Sequence, residues 1–318
     1  MRTKRQRAKG GHWLKAGGWL YRLFRLGIIV GIGYVILYPL LVKVSVALMS
    51  PSDMYDMTVK WVPRQPTSDN FREVLSLIDY WKYFFTTLGV SLGATLAQVA
   101  SCTLAAYGFA RFRFRGRRAL FFLVILTLCV PQQTYMVTTY MQYRYFDGFG
   151  LLSFFGVTPQ SLIGTPWPLM LMSLGCQAAK NGLFIYVLQQ FLARLPGELE
   201  EAAWVDGAGV GRIFWQIMLP NAGPAMVTVS VLSFVWCWND LYTASTYMPS
   251  MPLFSTLLNN LAFQISRAEG GGSVIDTVRL SMLTNAGALL IIAPLIVLFL
   301  VAQRFFVQGI ERTGLTGM

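Results

Sequence analysis

Long uncharged apolar runs, separated by short charged ones, constrain this chain more than any other feature. Residues 84–110 form 27 consecutive positions without a charged side chain, and 119–143 carry none either. A soluble core would scatter polar residues through such stretches at helical or strand period. A helix needs about 20 apolar residues to cross the hydrocarbon core of a bilayer. The segmentation therefore predicts an all-α integral membrane protein. Six segments qualify as transmembrane helices: 26–49, 84–110, 119–143, about 168–191, 221–241 and 282–303. Lys43 lies near the far end of the first, where its long side chain can snorkel to the headgroups. Pro159, Pro166 and Pro168 punctuate the uncharged run before the fourth, so that run begins as loop or re-entrant chain and Lys180 falls inside the span.

Charge distribution orients these spans. Only 13% of the 318 residues are charged, against about 25% in ordinary soluble domains. The net charge of +12 might suggest nucleic acid, but eight Lys/Arg lie in the first 25 residues and five more in 111–118, both flanking apolar runs. That is the positive-inside distribution of a membrane protein, and it argues against nucleic acid as a partner. Six spans place both termini on the cytoplasmic side, together with 111–118, 198–220 and the tail after Arg304. Residues 50–82, 144–166 and 243–281 then lie outside. The organisation expected is a basic leader (1–25), a transmembrane domain (26–310) and a short cytoplasmic tail (311–318). The first apolar stretch exceeds the h-region of a signal peptide and no small-x-small cleavage site follows, so it reads as a retained helix. In the leader, Trp13, Leu14, Trp19, Leu20 and Leu23 interleave with Lys15, Arg22 and Arg25. This mixture suits either an amphipathic helix on anionic lipid or a plain topology anchor.

Chemistry-bearing residues are sparse. Cys102, Cys129, Cys176 and Cys237 each sit in an apolar run without a CxxC partner, and the single histidine, His12, lies in the leader. The cysteines read as small packing residues, and no metal site or His-based triad is expected. The polar interruption at 198–220 is different. Pro196-Gly197 ends the preceding span, and Glu198, Glu200 and Glu201 enrich a first helical turn, where the positive helix end favours acids. Ala202 and Ala203 keep the surface flat, and Gly207 would let another backbone approach. Val210, Ile213, Phe214 and Ile217 then recur as an apolar stripe before Pro220 opens the fifth span. The run Gly207-x-Gly209-x-Gly211 matches neither GxGxxG nor GxxxxGK[ST], so no nucleotide site is expected in the chain itself.

Glu201-Ala202-Ala203, three residues, Gly207, nine residues, then Ile217-x-Leu219-Pro220 resembles the cytoplasmic signature of permease subunits of ABC-type importers. Asp206-Gly207-Ala208 fits the same pattern. So do Ala105-Ala106-Tyr107-Gly108-Phe109-Ala110-Arg111 with its following basic turn, Trp238-Asn239-Asp240, and the run from Gln303 to Ile310. Over about residues 84–310 the chain is similar to the smaller, six-span permease of maltose-type carbohydrate importers, while 159–180 and the tail after Ile310 depart from the pattern. The resemblance implies the type I importer permease fold. It implies docking of Glu201, Ala202, Ala203, Asp206, Gly207, Ile217, Leu219 and Pro220 into an ATPase subunit. Its implied partners are a second permease, two ATP-binding cassette subunits, an extracytoplasmic solute-binding protein and membrane lipid, in a prokaryotic cytoplasmic membrane. ATP and Mg would be used by the partners, none bound by this chain, which would not be an enzyme. The solute would be a sugar or oligosaccharide; a non-sugar solute, or a secondary transporter needing no ATPase, is the alternative.

Candidate solute-pathway residues are Lys180, Gln132, Gln133, Asn239 and Asp240. A lysine within a span should face protein or water, as a cavity donor or a partner for a buried acid, unless it snorkels from an end. Pro131 frees a carbonyl that Gln132 and Gln133 can satisfy, leaving them kinked-helix partners or liners of a polar path. Asp240, about 20 residues beyond Pro220, is expected to order the exit of the fifth span more than to bind solute. Gly27/Gly31 and Gly89/Gly93 hint at close helix contacts, and Gly270-Gly271-Gly272 reads as a flexible hinge.

Overall fold

The computed structural model describes residues 10–314, apart from 60, 149, 157, 179 and 269–275. Among the described residues every regular element is helical, with one isolated bridge between Phe146 and Gln160. In chain order the helices are α1 (Gly10–Leu48), α2 (Pro51–Tyr55), α3 (Asp69–Leu77), α4 (Tyr80–Arg111), α5 (Arg117–Leu126), α6 (Gln132–Arg144), α7 (Leu151–Phe154), α8 (Trp167–Leu174) and α9 (Asn181–Arg194). They continue with α10 (Glu198–Val205), α11 (Val210–Ile213), α12 (Leu219–Asn221), α13 (Gly223–Asn239), α14 (Leu241–Tyr247), α15 (Phe254–Asn259), α16 (Leu261–Ala268) and α17 (Thr277–Gly314). The triple glycine at 270–272, residues 1–9 of the leader and 315–318 of the tail lie outside the described residues.

Three helices are long and apolar enough to cross a membrane unbroken: Tyr21–Leu48 within α1, all of α4, and Thr277–Gln303 within α17. The expected third span is a broken pair. Val130 is extended and Pro131 cannot donate an amide hydrogen, so α5 and α6 meet at a bend of 99°. The stretch 210–239 likewise bends by 74° ahead of α13. The expected fourth span is divided: α8 stops at Gly175, Cys176 and Lys180 take positive φ, and α9 starts at Asn181. Among the described residues, length and composition alone pick out three unbroken spans, or up to five if each bent pair is one.

The chain forms two compact units. The first comprises Met1–Ile78 and Ala262–Leu290. Here Asn70 Nδ2 donates to the carbonyls of Ala47 and Met49, each at 2.9 Å, and satisfies acceptors freed where α1 ends. Lys43 Nζ donates to Asn285 Oδ1 at 3.3 Å. Arg279 pairs with Glu73, and Tyr55 donates to Asp276. In the connection after α2, Thr58 donates its hydroxyl and N–H to Asp56, and with Arg64 nearby this holds the carboxyl below the usual range. A Cβ added at Gly27 or Gly31 would meet nothing within 4 Å.

The second unit, Asp79–Leu261 and Ile291–Met318, is organised around α4, which packs most extensively on α9 and α13. One apolar cluster joins Cys102 and Ala106 of α4, Phe184, Leu188 and Leu192 of α9, and Val229 of α13 to Ile213, Phe214 and Met218. A second gathers Ala94, Tyr143, Met172, Tyr247, Met248 and Leu253. Trp238 is buried among Phe84, Phe234 and Phe254, ring centroids 5.5–6.1 Å away. Gly93 lies under Met170, whereas Gly89 meets nothing. All four cysteines are free thiols: Cys102 packs in the core as expected, but Cys129 is exposed.

Candidate functional site

Two features of the second unit carry functional geometry. The first is the polar interruption between α9 and α13. Its acids occupy the first turn of α10, as the helix-end argument requires. The helix closes on a Schellman motif: Gly207 N–H donates to Trp204 O at 3.0 Å and Ala208 N–H to Ala203 O at 2.9 Å. Gly207 holds φ +77° to make it, and a Cβ there would meet nothing within 4 Å. Gly207 is therefore required first by its own turn, and its room for a neighbour is secondary. After Gly209 the chain resumes as α11, widens to a π-turn at Phe214–Met218, and runs through α12 into α13.

Most of the apolar stripe turns into the core, with Val210 left exposed. Ile213 and Phe214 are buried and Ile217 half-buried in this unit's own core, with Phe214 5.0 Å from the Tyr107 ring of α4. Ala203 is buried with them. The stripe anchors the segment, and a different apolar set faces outward. Trp204 is 64%, Val205 89% and Trp215 66% exposed, with Leu199 and Val210 beside them in sequence. Glu201, Ala202, Asp206, Gly207 and Pro220 are exposed, and Leu219 half-buried. Sequence reasoning missed Trp204 and Trp215, although both tryptophans stand in the segment it singled out.

The second feature is a polar cavity of about 210 Å³, lined by Gln98, Gln132, Lys180, Trp236, Asn239, Asp240 and Thr243 among apolar neighbours. An adjoining space of about 660 Å³ includes Gln132, Gln133, Gln177 and Lys180 in its lining. The helix breaks put these residues there. Gln132 begins α6 just past the Pro131 bend, Lys180 ends the break before α9, and Asp240 closes α13. Lys180 is exposed and lies outside any continuous helix, its Nζ 5.6 Å from the centroid of the Trp236 ring. Gln132 Nε2 donates to Thr243 Oγ1 at 3.3 Å, and Asp240 accepts Thr243 N–H at 3.0 Å as cap of α14. Asn239 Nδ2 donates to Val235 O at 2.8 Å.

Beside this cavity lies a buried polar network that sequence reasoning missed. Gln98 donates to Asn181, and its Oε1 accepts Ser233 Oγ–H at 2.6 Å, so α4, α9 and α13 are tied by side-chain amides and a hydroxyl. The signal was present: Thr87, Ser91, Thr95 and Gln98 recur at helical spacing along α4, and all are buried.

Residues 98–312 match the family described as binding-protein-dependent transport system inner membrane component. The chain belongs to this family. The match contains both the 198–220 segment and the cavity residues. Among curated relatives, the chain is 32% identical over 259 residues to the alpha-glucoside transport system permease protein AglG of Rhizobium meliloti (strain 1021), covering 80% of this chain and 62% of that one. It is 26% identical over 307 residues to the galactooligosaccharides transport system permease protein GanQ of Bacillus subtilis (strain 168), covering 96% and 99%. The crystal structure of a bacterial ABC transporter involved in the import of the acidic polysaccharide alginate superposes with a TM-score of 0.69 at 19% identity, over 91% of this chain and 98% of that one. This likeness carries the fold, which is the ABC importer permease fold. As an inner membrane component of such a system, the chain is an integral membrane permease subunit and not itself an enzyme.

Proposed function

We propose that this chain is one of two permease subunits of an ATP-driven importer in a prokaryotic cytoplasmic membrane, with both termini inside. Two ATPase subunits supply the energy through segment 198–220, and an extracytoplasmic binding protein delivers a sugar or oligosaccharide. Family membership and the sugar-transport names of the relatives support the solute class. The observation that carries the coupling role is the form of the segment. A helix closed by a Schellman turn is anchored inward by Ile213 and Phe214 and presents Trp204, Val205 and Trp215 outward. Such an element moves as a body when a partner grips it. Glu201, Ala202, Asp206 and Gly207 would meet the ATPase, while Ala203, Ile217 and Leu219 hold the segment to its own unit and exposed Pro220 stands at its end. Closure of the ATPases would draw the segment with them and change which side the cavity faces. The cavity supplies what a hydroxylated solute uses: a ring face on Trp236, amides at Gln132, Gln133 and Asn239, and the charges of Lys180 and Asp240.

Changing Trp204 and Trp215 together to Asp tests the docking face. Buried interface tryptophans each contribute about 2 kcal/mol or more. The variant should insert at parental levels and lose its ATPase subunits on purification, because neither side chain supports the permease's own core. Parental recovery of ATPase subunits with the double variant would overturn the docking assignment.

A further inference from the structure

The basic turn after α4 is ordinarily explained by topology alone, yet Arg111 does not behave as a lipid-facing anchor. Its guanidinium is mostly buried, with 13% of the side chain exposed, and faces Glu200, of which 18% is exposed, at 3.6 Å from Nε to Oε1. Neither of these two atoms has a hydrogen-bond partner, so their mutual charge is what offsets their burial. The other arm of the fork, Nη2, donates to Leu195 O at 2.7 Å, on the residue that ends α9. One side chain thus binds the last residue of α4 to both the end of α9 and the first turn of α10. Tyr107, one turn earlier on α4, stands beside Glu200 and packs on Phe214. Further along the same helix, about 20 Å away at 1.5 Å per residue, Gln98 lines the polar cavity and holds Asn181 and Ser233.

We infer that Arg111 and Glu200 are positioning residues for energy coupling: their ion pair is the strut through which displacement of the 198–220 segment is passed to α4 and so to the cavity. The inference rests on the coupling role proposed above. Apolar packing alone would let α10 slide against α4, since dispersion contacts have little direction. A charge pair out of water, with one partner also hydrogen-bonded to a carbonyl, fixes position along and across the helix. Lysine could keep the charge but not reach two acceptors in a planar fork. Glu200 is next to the Glu201-Ala202-Ala203 signature, so the strut joins the segment directly behind its docking face.

The test uses the assembled complex and needs no solute. With the native cysteines changed to Ser, a single cysteine at Gln133 reports cavity access through its rate of labelling by a membrane-impermeant maleimide, with and without ATP plus vanadate. In the parent strut the two rates should differ by about fivefold or more, the low end of ordinary coupling between sites. In Arg111→Gln and in Glu200→Gln the ratio should fall below about twofold while ATPase subunits still co-purify, with Arg111→Lys between. The paired variant Arg111→Gln/Glu200→Gln leaves no uncompensated charge, so it assembles even where a single variant does not. Its ratio should be no lower than that of either single change. Charge reversal, Arg111→Glu/Glu200→Arg, should recover part of the response. A parental ratio in the paired variant would overturn the strut and leave the coupling segment standing. A parent chain that brings no ATPase subunits would remove the coupling reading, and the strut with it.

Discussion

Single residues show where local chemistry and function coincide. Gly207 was legible from the signature, but its reason is conformational: φ +77° closes the Schellman turn, so a side chain there strains the segment before any partner is considered. Gly182 carries the opposite lesson, because nothing in its surroundings in sequence marks it. A Cβ there would lie 2.7 Å from Thr127 Oγ1 and 2.8 Å from the carbonyl of Val124, backbone that cannot swing aside. The start of α9 therefore touches the end of α5 directly. Gly182→Ala should cost about 1–3 kcal/mol by overpacking and lower the thermal midpoint of the purified complex. An unchanged midpoint would mean the α5 end is free to yield. Lys180 was read as a charge within a span. The chain instead breaks around it at positive φ, and its charge rests over Trp236 beside a polar cavity.

At the scale of elements, what could be read from the sequence was whatever depends on run length and composition. The unbroken spans α1, α4 and α17 appear where apolar runs placed them, and the acids of α10 sit in its first turn. What could not be read depends on which neighbour a face meets. The stripe Val210, Ile213, Phe214 and Ile217 has helical spacing, but only packing against α4 and α9 decides that Ile213, Phe214 and Ile217 turn inward while Val210 stays exposed. The buried polar ladder of α4 also has helical spacing, and only its partners Asn181 and Ser233 give it meaning. The sequence points to the cavity residues only one at a time, through Pro131, Lys180 and Asp240; their convergence comes from helix breaks whose angles no composition encodes. The α4–α5 turn should lie inside the cell. In a chain with its native cysteines changed to Ser, Arg115→Cys should be shielded from impermeant maleimide added to whole cells and Arg267→Cys should react. The reverse pattern would invert the topology.

At the scale of the whole molecule, the function proposed above has partners work this membrane subunit by gripping one preformed segment. Its bent helices leave polar side chains beside a cavity, and the mostly buried Arg111–Glu200 ion pair joins segment 198–220 to the helix that lines this cavity. Membership of the binding-protein-dependent transport family accords with this division of labour. A secondary transporter would share the broken helices and the cavity but would need no segment gripped by ATPases. The most direct test is to isolate the chain from its native membrane under mild detergent and weigh the intact particle by native mass spectrometry. The account predicts one copy of this chain with one different permease and two ATP-hydrolysing subunits; the chain alone, or only with copies of itself, would contradict it.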